Sequence, residues 1–291
     1  MIARSDTRGV RLRISSRVRV SFQSVCRGLT DLVLPPACAC WDELLSGLGE
    51  ELVCGRCLSR IVPLTYPLCM RCGHPRLTPN VPVPRDTGAN VAAPLSPCRW
   101  CKRLPPWVRA VRSVCRMDQG SGSAFVHALK YEGWSRVARP MAKRMAQLQF
   151  PADVAGERTA LVPVPLSKTR ERERGYNQAG LLAVALAAHW KLPVLTNVVS
   201  RVRNTVSQVR LTPSDRAANV AQAFASQSSA ADRLSGAHIV LVDDVVTTAA
   251  TLNATARVLM DRGVRIVSYV TFGRAPDDGD RSVPDLDLDQ D

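Results

Sequence analysis

The segment IVLVDDVVTTAATL, residues 239–252, combines an apolar run with groups that suit a sugar phosphate. The run ends at two adjacent carboxylates, Asp243 and Asp244, and a hydroxyl-rich turn, Thr247–Thr251, follows. Carboxylates accept hydrogen bonds from vicinal sugar hydroxyls, and the backbone N–H groups of a turn that opens a helix can cradle a phosphate. The segment therefore predicts a site for a ribose 5-phosphate. A buried strand and a capped helix alone would not explain the two aspartates.

Eight of the ten cysteines fall in four close pairs, a spacing typical of zinc knuckles. Two pairs make one four-sulfur site, so the sequence predicts two structural Zn²⁺ sites. Pairing in sequence order and a cross-braced pairing both fit. The first pair has one intervening residue where a knuckle usually has two, so it supplies either two ligands or only one. The pairs are Cys38 and Cys40, Cys54 and Cys57, Cys69 and Cys72, and Cys98 and Cys101.

Downstream of residue 106, apolar periodicity alternates between helices and strands. Strands separated by helices of this length indicate an α/β fold with a mostly parallel sheet covered on both faces. Ligands bind such sheets at the carboxyl ends of the strands, where Asp243 and Asp244 are placed. Helices are predicted at 123–134, 139–150, 175–190, 213–226 and 249–263, and strands at 160–165, 238–244 and 264–273.

The net charge of +14 is uneven along the 291 residues. Residues 1–30 carry seven arginines and one aspartate, and residues 276–291 carry seven aspartates and one arginine. Between them, residues 31–105 contribute +2 and residues 106–275 contribute +12. We therefore expect a disordered basic arm (1–30), a cysteine-rich zinc module (31–105) with a proline-rich loop at 78–97, a basic α/β domain (106–275) and a disordered acidic tail (276–291).

The basic charge of residues 106–275 favours anionic partners, either nucleic acid or phosphorylated small molecules. Cysteine pairs spaced for metal are typical of a reducing compartment, so we expect a cytoplasmic protein. No apolar run approaches the ~20 residues that span a bilayer, so no membrane insertion is expected.

The segment around Asp243 and Asp244 resembles the binding motif for phosphoribosyl pyrophosphate (PRPP) of type I phosphoribosyltransferases, with Ala249 in the place of a glycine. Residues 161–183 and 201–224, and HALKYEG with Lys130, resemble blocks of the ComF/GntX family, in which a double zinc ribbon precedes a phosphoribosyltransferase domain. The resemblance covers residues 31–275. The matching positions in the two longer blocks are Arg174, Gly175, Asn177, Gln178, Ala179, Thr205, Gln208, Leu211, Arg216, Asn219 and Phe224.

The resemblance implies a type I phosphoribosyltransferase fold with PRPP and Mg²⁺ as ligands. It makes Asp243 and Asp244 the catalytic pair that holds the ribose. The turn after strand 160–165 is expected to meet the pyrophosphate, and residues 201–224 to form a mobile hood. If position 249 needs a positive φ, the alanine there costs free energy or distorts the cradle. The expected PRPP-binding residues are Lys168, Arg170, Arg174, Asp243, Asp244, Thr247, Thr248, Ala249, Ala250 and Thr251.

Two functions fit this sequence best, and a structural adaptor with an empty pocket is a third. The first is an enzyme that transfers the phosphoribosyl group of PRPP to a nitrogen nucleophile. The alternative is a module that senses PRPP or a nucleotide without catalysis, with a zinc ribbon that contacts DNA or a protein. For this alternative, the family resemblance implies a role linked to DNA uptake during competence. The sequence does not specify the acceptor or the oligomeric state.

Overall fold

The computed structural model of the protein describes residues 37–40, 45, 52–76, 98–202, 223–226 and 234–276. The predicted basic arm, the loop at 78–97, most of the block at 201–224 and the acidic tail beyond Pro276 lie outside the described residues. Contacts from Ala37 onwards define one compact unit. The boundary at residue 105 stays a prediction.

Six strands are described: β1 (Val108–Arg116), β2 (Arg158–Pro163), β3 (Val199–Arg201), β4 (Phe224–Ser226), β5 (His238–Val246) and β6 (Ile266–Arg274). Four of them form a parallel sheet in the order β1-β6-β5-β2. The other two, β3 and β4, form an antiparallel pair. The predicted α/β class with a mostly parallel sheet is confirmed.

The described helices are α1 (Gly55–Ser59), α2 (Gly122–Tyr131), α3 (Ala138–Ala146), α4 (Ala152–Glu157), α5 (Lys168–Arg174), α6 (Gln178–Trp190) and α7 (Ala250–Met260). Short 3₁₀ helices lie at Arg99–Arg103 and Ser135–Val137. Among these described helices, none has the length and apolar character needed to cross a bilayer.

Strand β5 is buried on both faces of the sheet. Ile239 and Leu241 pack into the core beneath α7, while Val240 and Val242 pack into the core beneath α3 and α6. Successive strand residues point to opposite faces, so this alternation follows from strand geometry. Burial on both faces also explains why the sequence shows an uninterrupted apolar run.

The cysteine-rich segments pack into these same two cores. Cys38 and Cys57 join the core beneath α3 and α6, whereas Cys69 and Cys72 join the core beneath α7. The buried guanidinium of Arg274, the last residue of β6, donates from Nη2 to the carbonyl oxygen of Cys72 at 2.6 Å. The cysteine-rich segments are therefore attached to both faces of the sheet.

Two local predictions are wrong. Residues 168–174 form α5 instead of a turn, and the Ser167 side chain caps this helix by accepting from the Arg170 N–H at 3.4 Å. Residues 224–226, predicted as the end of a helix, form β4 because pairing with β3 overrides the helical periodicity. The sequence pattern does not predict strand β1, because three arginines interrupt its apolar residues. One of them, Arg112, is buried and donates to the carbonyl oxygens of Met70 and Gln149.

Candidate functional site

The two aspartates lie inside the last part of β5, not after it. The strand continues to Val246, and Asp243 pairs with Thr271 of β6. The Asp244 N–H donates to Asp243 Oδ1 at 2.9 Å. The acid pair is therefore held by a strand in the middle of the sheet, close to its carboxyl edge, as the rule for parallel sheets predicts.

The two carboxylates have different surroundings. Asp244 is 3% exposed, and its Oδ2 contacts Nζ of Lys130 near the end of α2. Asp243 is half-buried, and its negative charge favours the charged form of the Arg201 guanidinium in β3. Burial, and then the neighbouring Asp244, raises the pKa of Asp243 well above its ordinary value. Asp243 is thus the more accessible of the two, and its carboxyl group keeps its proton to a higher pH than an ordinary aspartate does.

The turn after β5 has the conformation expected of an anion cradle. Thr247 and Thr248 are exposed, and Ala249 adopts the left-handed conformation with φ 63° and ψ 9°. Helix α7 starts at Ala250, and its N-cap residue, Ala249, has no side-chain group that could accept a capping hydrogen bond. The Ala250 N–H makes only a long contact, 3.4 Å, with Thr248 Oγ1. The first N–H groups of α7 are therefore available to an anion.

A cleft of about 580 Å³ lies between the end of α2 and helix α5. Lys130, Arg170 and Arg174 bring three cations to it, and Glu132 and Glu173 bring two carboxylates. The guanidinium of Arg174 lies over the Tyr131 ring at 5.2 Å. Lys168, at the start of α5, is exposed and does not line this cleft. Of the three side chains expected at the pyrophosphate, Arg170 and Arg174 share one cleft with Lys130, and Lys168 lies outside it.

The four thiols of Cys69, Cys72, Cys98 and Cys101 lie within 4.8 Å of one another. The Sγ atoms of Cys69 and Cys101 are 3.5 Å apart, and those of Cys72 and Cys98 are 3.4 Å apart. A tetrahedral zinc with Zn–S bonds of about 2.3 Å needs sulfurs about 3.8 Å apart. This donor set therefore fits one structural zinc ion. His74 lies outside the four-sulfur group.

A second group contains the thiols of Cys38, Cys40 and Cys57, again within 4.8 Å of one another. Cys54 lies beside them: its N–H donates to Cys38 Sγ at 3.3 Å, and its own Sγ accepts from the Cys57 N–H at 3.4 Å. Hydrogen bonds from backbone N–H groups to sulfur orient and stabilise thiolate ligands of a metal. The cysteines are therefore grouped in sequence order, and the cross-braced alternative is wrong. Both cysteines of the first pair are in the group.

Two family profiles match the chain. The double zinc ribbon domain matches residues 29–103, and the phosphoribosyl transferase domain matches residues 175–289. Competence protein F of Haemophilus influenzae is 38% identical over 134 residues, which are 46% of this chain and 55% of that protein. DNA utilization protein YhgH of Salmonella typhimurium is 32% identical over 241 residues, which are 78% of this chain and 93% of that protein.

The chain belongs to the ComF/GntX family. Among solved structures, hypoxanthine phosphoribosyl transferase of Trypanosoma cruzi is 19% identical, and the match covers 53% of this chain and 69% of that chain. Its TM-score of 0.29 supports no statement about the site. The double zinc ribbon and the phosphoribosyltransferase domain of this ComF/GntX chain are the two parts that the sequence predicts.

Lys130 belongs to the site, but the sequence alone gives it no role. It lies in the HALKYEG block, which resembles a ComF/GntX block, but it is about 110 positions before the acid pair. Only the fold brings α2 beside β5 and places the ammonium on Asp244. Nothing in the local sequence pattern gives this pairing.

Asn253 links the ComF/GntX zinc ribbon to the helix of the cradle. Its Nδ2 donates to the carbonyl oxygen of Arg103 at 2.8 Å, two residues after the last zinc-site cysteine. Tyr269 of β6 in turn donates from its hydroxyl to Asn253 Oδ1 at 3.0 Å. The first turn of α7 is therefore fixed to the segment that carries Cys98 and Cys101.

Proposed function

We propose that this site binds PRPP. The observation that carries the proposal is the sequence of features at the end of β5: an acid pair, then a turn with a positive φ at Ala249, then an uncapped helix. A phosphate on the first N–H groups of α7 would leave the attached ribose within reach of the half-buried Asp243. The exposed hydroxyls of Thr247 and Thr248 add donors for the phosphate.

The other end of the ligand carries a pyrophosphate, and the cations of the cleft, which outnumber its two carboxylates, favour it. Arg170, Arg174 and Lys130 line one cleft, and guanidinium groups bind phosphate oxygens in a bidentate manner. Asp243 offers oxygen ligands of the kind that Mg²⁺ prefers, and the pyrophosphate itself would supply most of the others. When bound, Mg²⁺ would stabilise the negative charge of the leaving group.

We further propose phosphoribosyl transfer as the reaction. The C1–O bond to pyrophosphate breaks with its electron pair going to the leaving group, and a nitrogen nucleophile forms the new bond to C1. The nucleophile's proton passes to water. Positive charge develops on the ribose in the transition state, and the Asp243 carboxylate would offset it in its ionised form. The Lys130 contact holds Asp244 in place beside it.

A second function has its own support. The curated relatives carry the names competence protein and DNA utilization protein, and Ala249 holds a strained conformation where the related motif has a glycine. These observations favour a protein that binds PRPP or a nucleotide without turnover and acts in DNA uptake, through a zinc ribbon that contacts DNA or a protein. The cytoplasmic location also stays a prediction.

One experiment separates the two functions. The zinc-loaded full chain is titrated with PRPP and Mg²⁺ by calorimetry, and pyrophosphate release is then assayed with a panel of nucleobases. Binding with release supports the enzyme, and binding without release supports the sensor. No binding would exclude both. Asp243→Asn is the matched control, because it removes the ribose contact at the carboxyl end of β5 and keeps the side-chain shape.

A further inference from the structure

A second cleft, of about 740 Å³, lies on the outer surface of helices α3 and α6, away from the acid pair. We call it the α3–α6 groove. Its floor is aliphatic and includes Leu181, Val184 and Ala185 of α6. Val184 is 60% exposed, which is unusual for a valine on an apolar helix that packs on a sheet. A partly exposed apolar floor suggests that another apolar surface covers it.

The rim of the α3–α6 groove is cationic. Arg136, Lys143 and His189 line it, and none of its lining residues is acidic. Within the described part of the chain, neither Arg136 nor Lys143 forms an ion pair. The groove therefore fits an occupant that is apolar along one side and negatively charged along the other.

The acidic tail of the same chain has this composition. Its sequence after Pro276, DDGDRSVPDLDLDQD, contains seven aspartates, and Leu286 and Leu288 alternate with the aspartates at 285, 287 and 289. In an extended chain, residues two apart face the same side. Both leucines would then face one way and the three aspartates the other. This two-sided pattern matches an aliphatic floor between long cationic side chains.

We propose that the acidic tail of the chain binds in the α3–α6 groove of the same molecule. Leu286 and Leu288 lie on the aliphatic floor, and the neighbouring aspartates pair with Arg136 and Lys143. Leu286 is ten residues beyond Pro276, so an extended chain can place it up to ~35 Å from the end of the described residues. The proposal does not depend on PRPP binding.

The chemistry of the floor decides against nucleic acid as the occupant. Surfaces that bind single strands offer aromatic rings on which bases stack, together with their cations. The α3–α6 groove offers leucine, valine and alanine instead. An apolar and acidic peptide therefore matches the groove on both counts, while a nucleic acid matches only its charge.

Hydrogen–deuterium exchange of the zinc-loaded full chain tests the proposal. We expect the backbone amides of residues 285–290 to exchange at least about tenfold more slowly than an unbound peptide of the same sequence. The variants Val184→Asp and Leu286→Ser/Leu288→Ser should each abolish this protection. Val202→Asp is the matched control, because Val202 is 59% exposed and lies outside the groove. It should leave the protection unchanged.

Other results would overturn the proposal. A tail that exchanges as fast as the free peptide does not bind, and protection that survives Val184→Asp places the tail elsewhere. Protection that disappears on dilution, together with a dimer in light scattering, means that a second copy supplies the tail. A single-stranded oligonucleotide that binds wild type, but not Lys143→Glu, and leaves the tail's protection unchanged would make the groove a nucleic-acid site.

Discussion

The Nζ atom of Lys130 contacts Oδ2 of Asp244 and joins the end of α2 to the carboxyl end of β5. The two side chains are only 20% and 5% exposed, so water screens the contact weakly. Such a pair gains little over an apolar pair of the same shape, but loss of one partner leaves the other charge buried. The contact therefore fixes the position of Asp244 and makes the site sensitive to position 130.

Lys130→Met should destabilise the protein by about 3 kcal/mol, because it leaves the Asp244 carboxylate without its cation. Urea unfolding at neutral pH measures the change. The double variant Lys130→Met/Asp244→Asn should lose much less than the sum of the two single variants. Lys168→Met is the control, since Lys168 is exposed and no acidic side chain of the described residues pairs with it. Additive losses in the double variant would refute the coupling.

Asp243→Asn should lower PRPP affinity by at least about tenfold without lowering stability. Its carboxyl group is disfavoured as an anion by burial and by Asp244, both of which raise its pKa, so a neutral amide relieves that cost. Calorimetric titration with PRPP and Mg²⁺ measures the affinity, and thermal unfolding measures the stability. Thr196→Ala, at an exposed threonine away from the cradle, should change neither. Unchanged affinity in Asp243→Asn would contradict the proposed contact between Asp243 and the ribose.

Position 249 tests the cradle. A non-glycine residue in the left-handed region costs about 1 to 2 kcal/mol, and the Ala249 methyl group, which is 4% exposed, returns about 0.8 kcal/mol through burial. Ala249→Gly should therefore change stability by less than about 1 kcal/mol and keep PRPP binding. Ala249→Val should cost about 2 kcal/mol or more and abolish binding, because a branched side chain is disfavoured at this φ. Wild-type binding by Ala249→Val would contradict the cradle.

The cysteine groups predict about two zinc ions per chain. Cys101→Ser should reduce the zinc content to about one, while Cys115→Ser should leave it unchanged, since the buried Cys115 thiol contacts the Phe272 carbonyl instead of a cysteine group. A colorimetric assay of denatured protein measures zinc. Equal zinc in the two variants would refute the zinc site of Cys69, Cys72, Cys98 and Cys101.

Chelation should also loosen the start of α7. The zinc ribbon that contains Cys69, Cys72, Cys98 and Cys101 is joined to this helix through the hydrogen bond between Arg103 and Asn253. Cys69 and Cys72 share a core with Tyr269. We predict that the ribbon becomes sensitive to protease first and that the amides of residues 250–253 then exchange faster. Exchange of the α6 amides is the internal reference. A protease and exchange profile that a chelator does not alter would contradict structural zinc.

The sequence predicts much of this fold because its strongest signals are local. The run Ile239–Val242 can be buried on both faces only in a central strand, and four cysteine pairs at knuckle spacing indicate metal sites. Even the strain at Ala249 could be anticipated, since a glycine in the related motif indicates a positive φ. These features depend on residues that are neighbours in the chain.

The sequence could not predict features that depend on distant residues. Strand β1 contains Arg112, and a buried arginine is tolerated there only because carbonyl oxygens from residues 70 and 149 accept its hydrogen bonds. The pairing of Lys130 with Asp244 and the hydrogen bond from Asn253 to Arg103 likewise join separate parts of the chain. Such contacts appear only once the sheet order is known.

His238 provides a pH test of the sheet itself. It is the first residue of β5, is 1% exposed, and its Nε2 lies 2.9 Å from Ser268 Oγ. Burial lowers the pKa of His238 to about 4, whereas an unfolded histidine titrates near 6.5. Between these values the unfolded chain binds a proton that the folded chain excludes. The contribution of His238 to stability is therefore complete above about pH 6.5 and is lost as the pH falls towards 4.

The loss should reach about 3 kcal/mol near pH 4. His238→Asn keeps a polar group but does not titrate, so its free energy of unfolding should fall less steeply with acid than that of wild type. Urea unfolding from about pH 7 to about pH 4.5 measures both proteins, and their difference removes the effect of protonated zinc ligands, which they share. Parallel curves for wild type and His238→Asn would mean that the buried imidazole does not oppose acid unfolding.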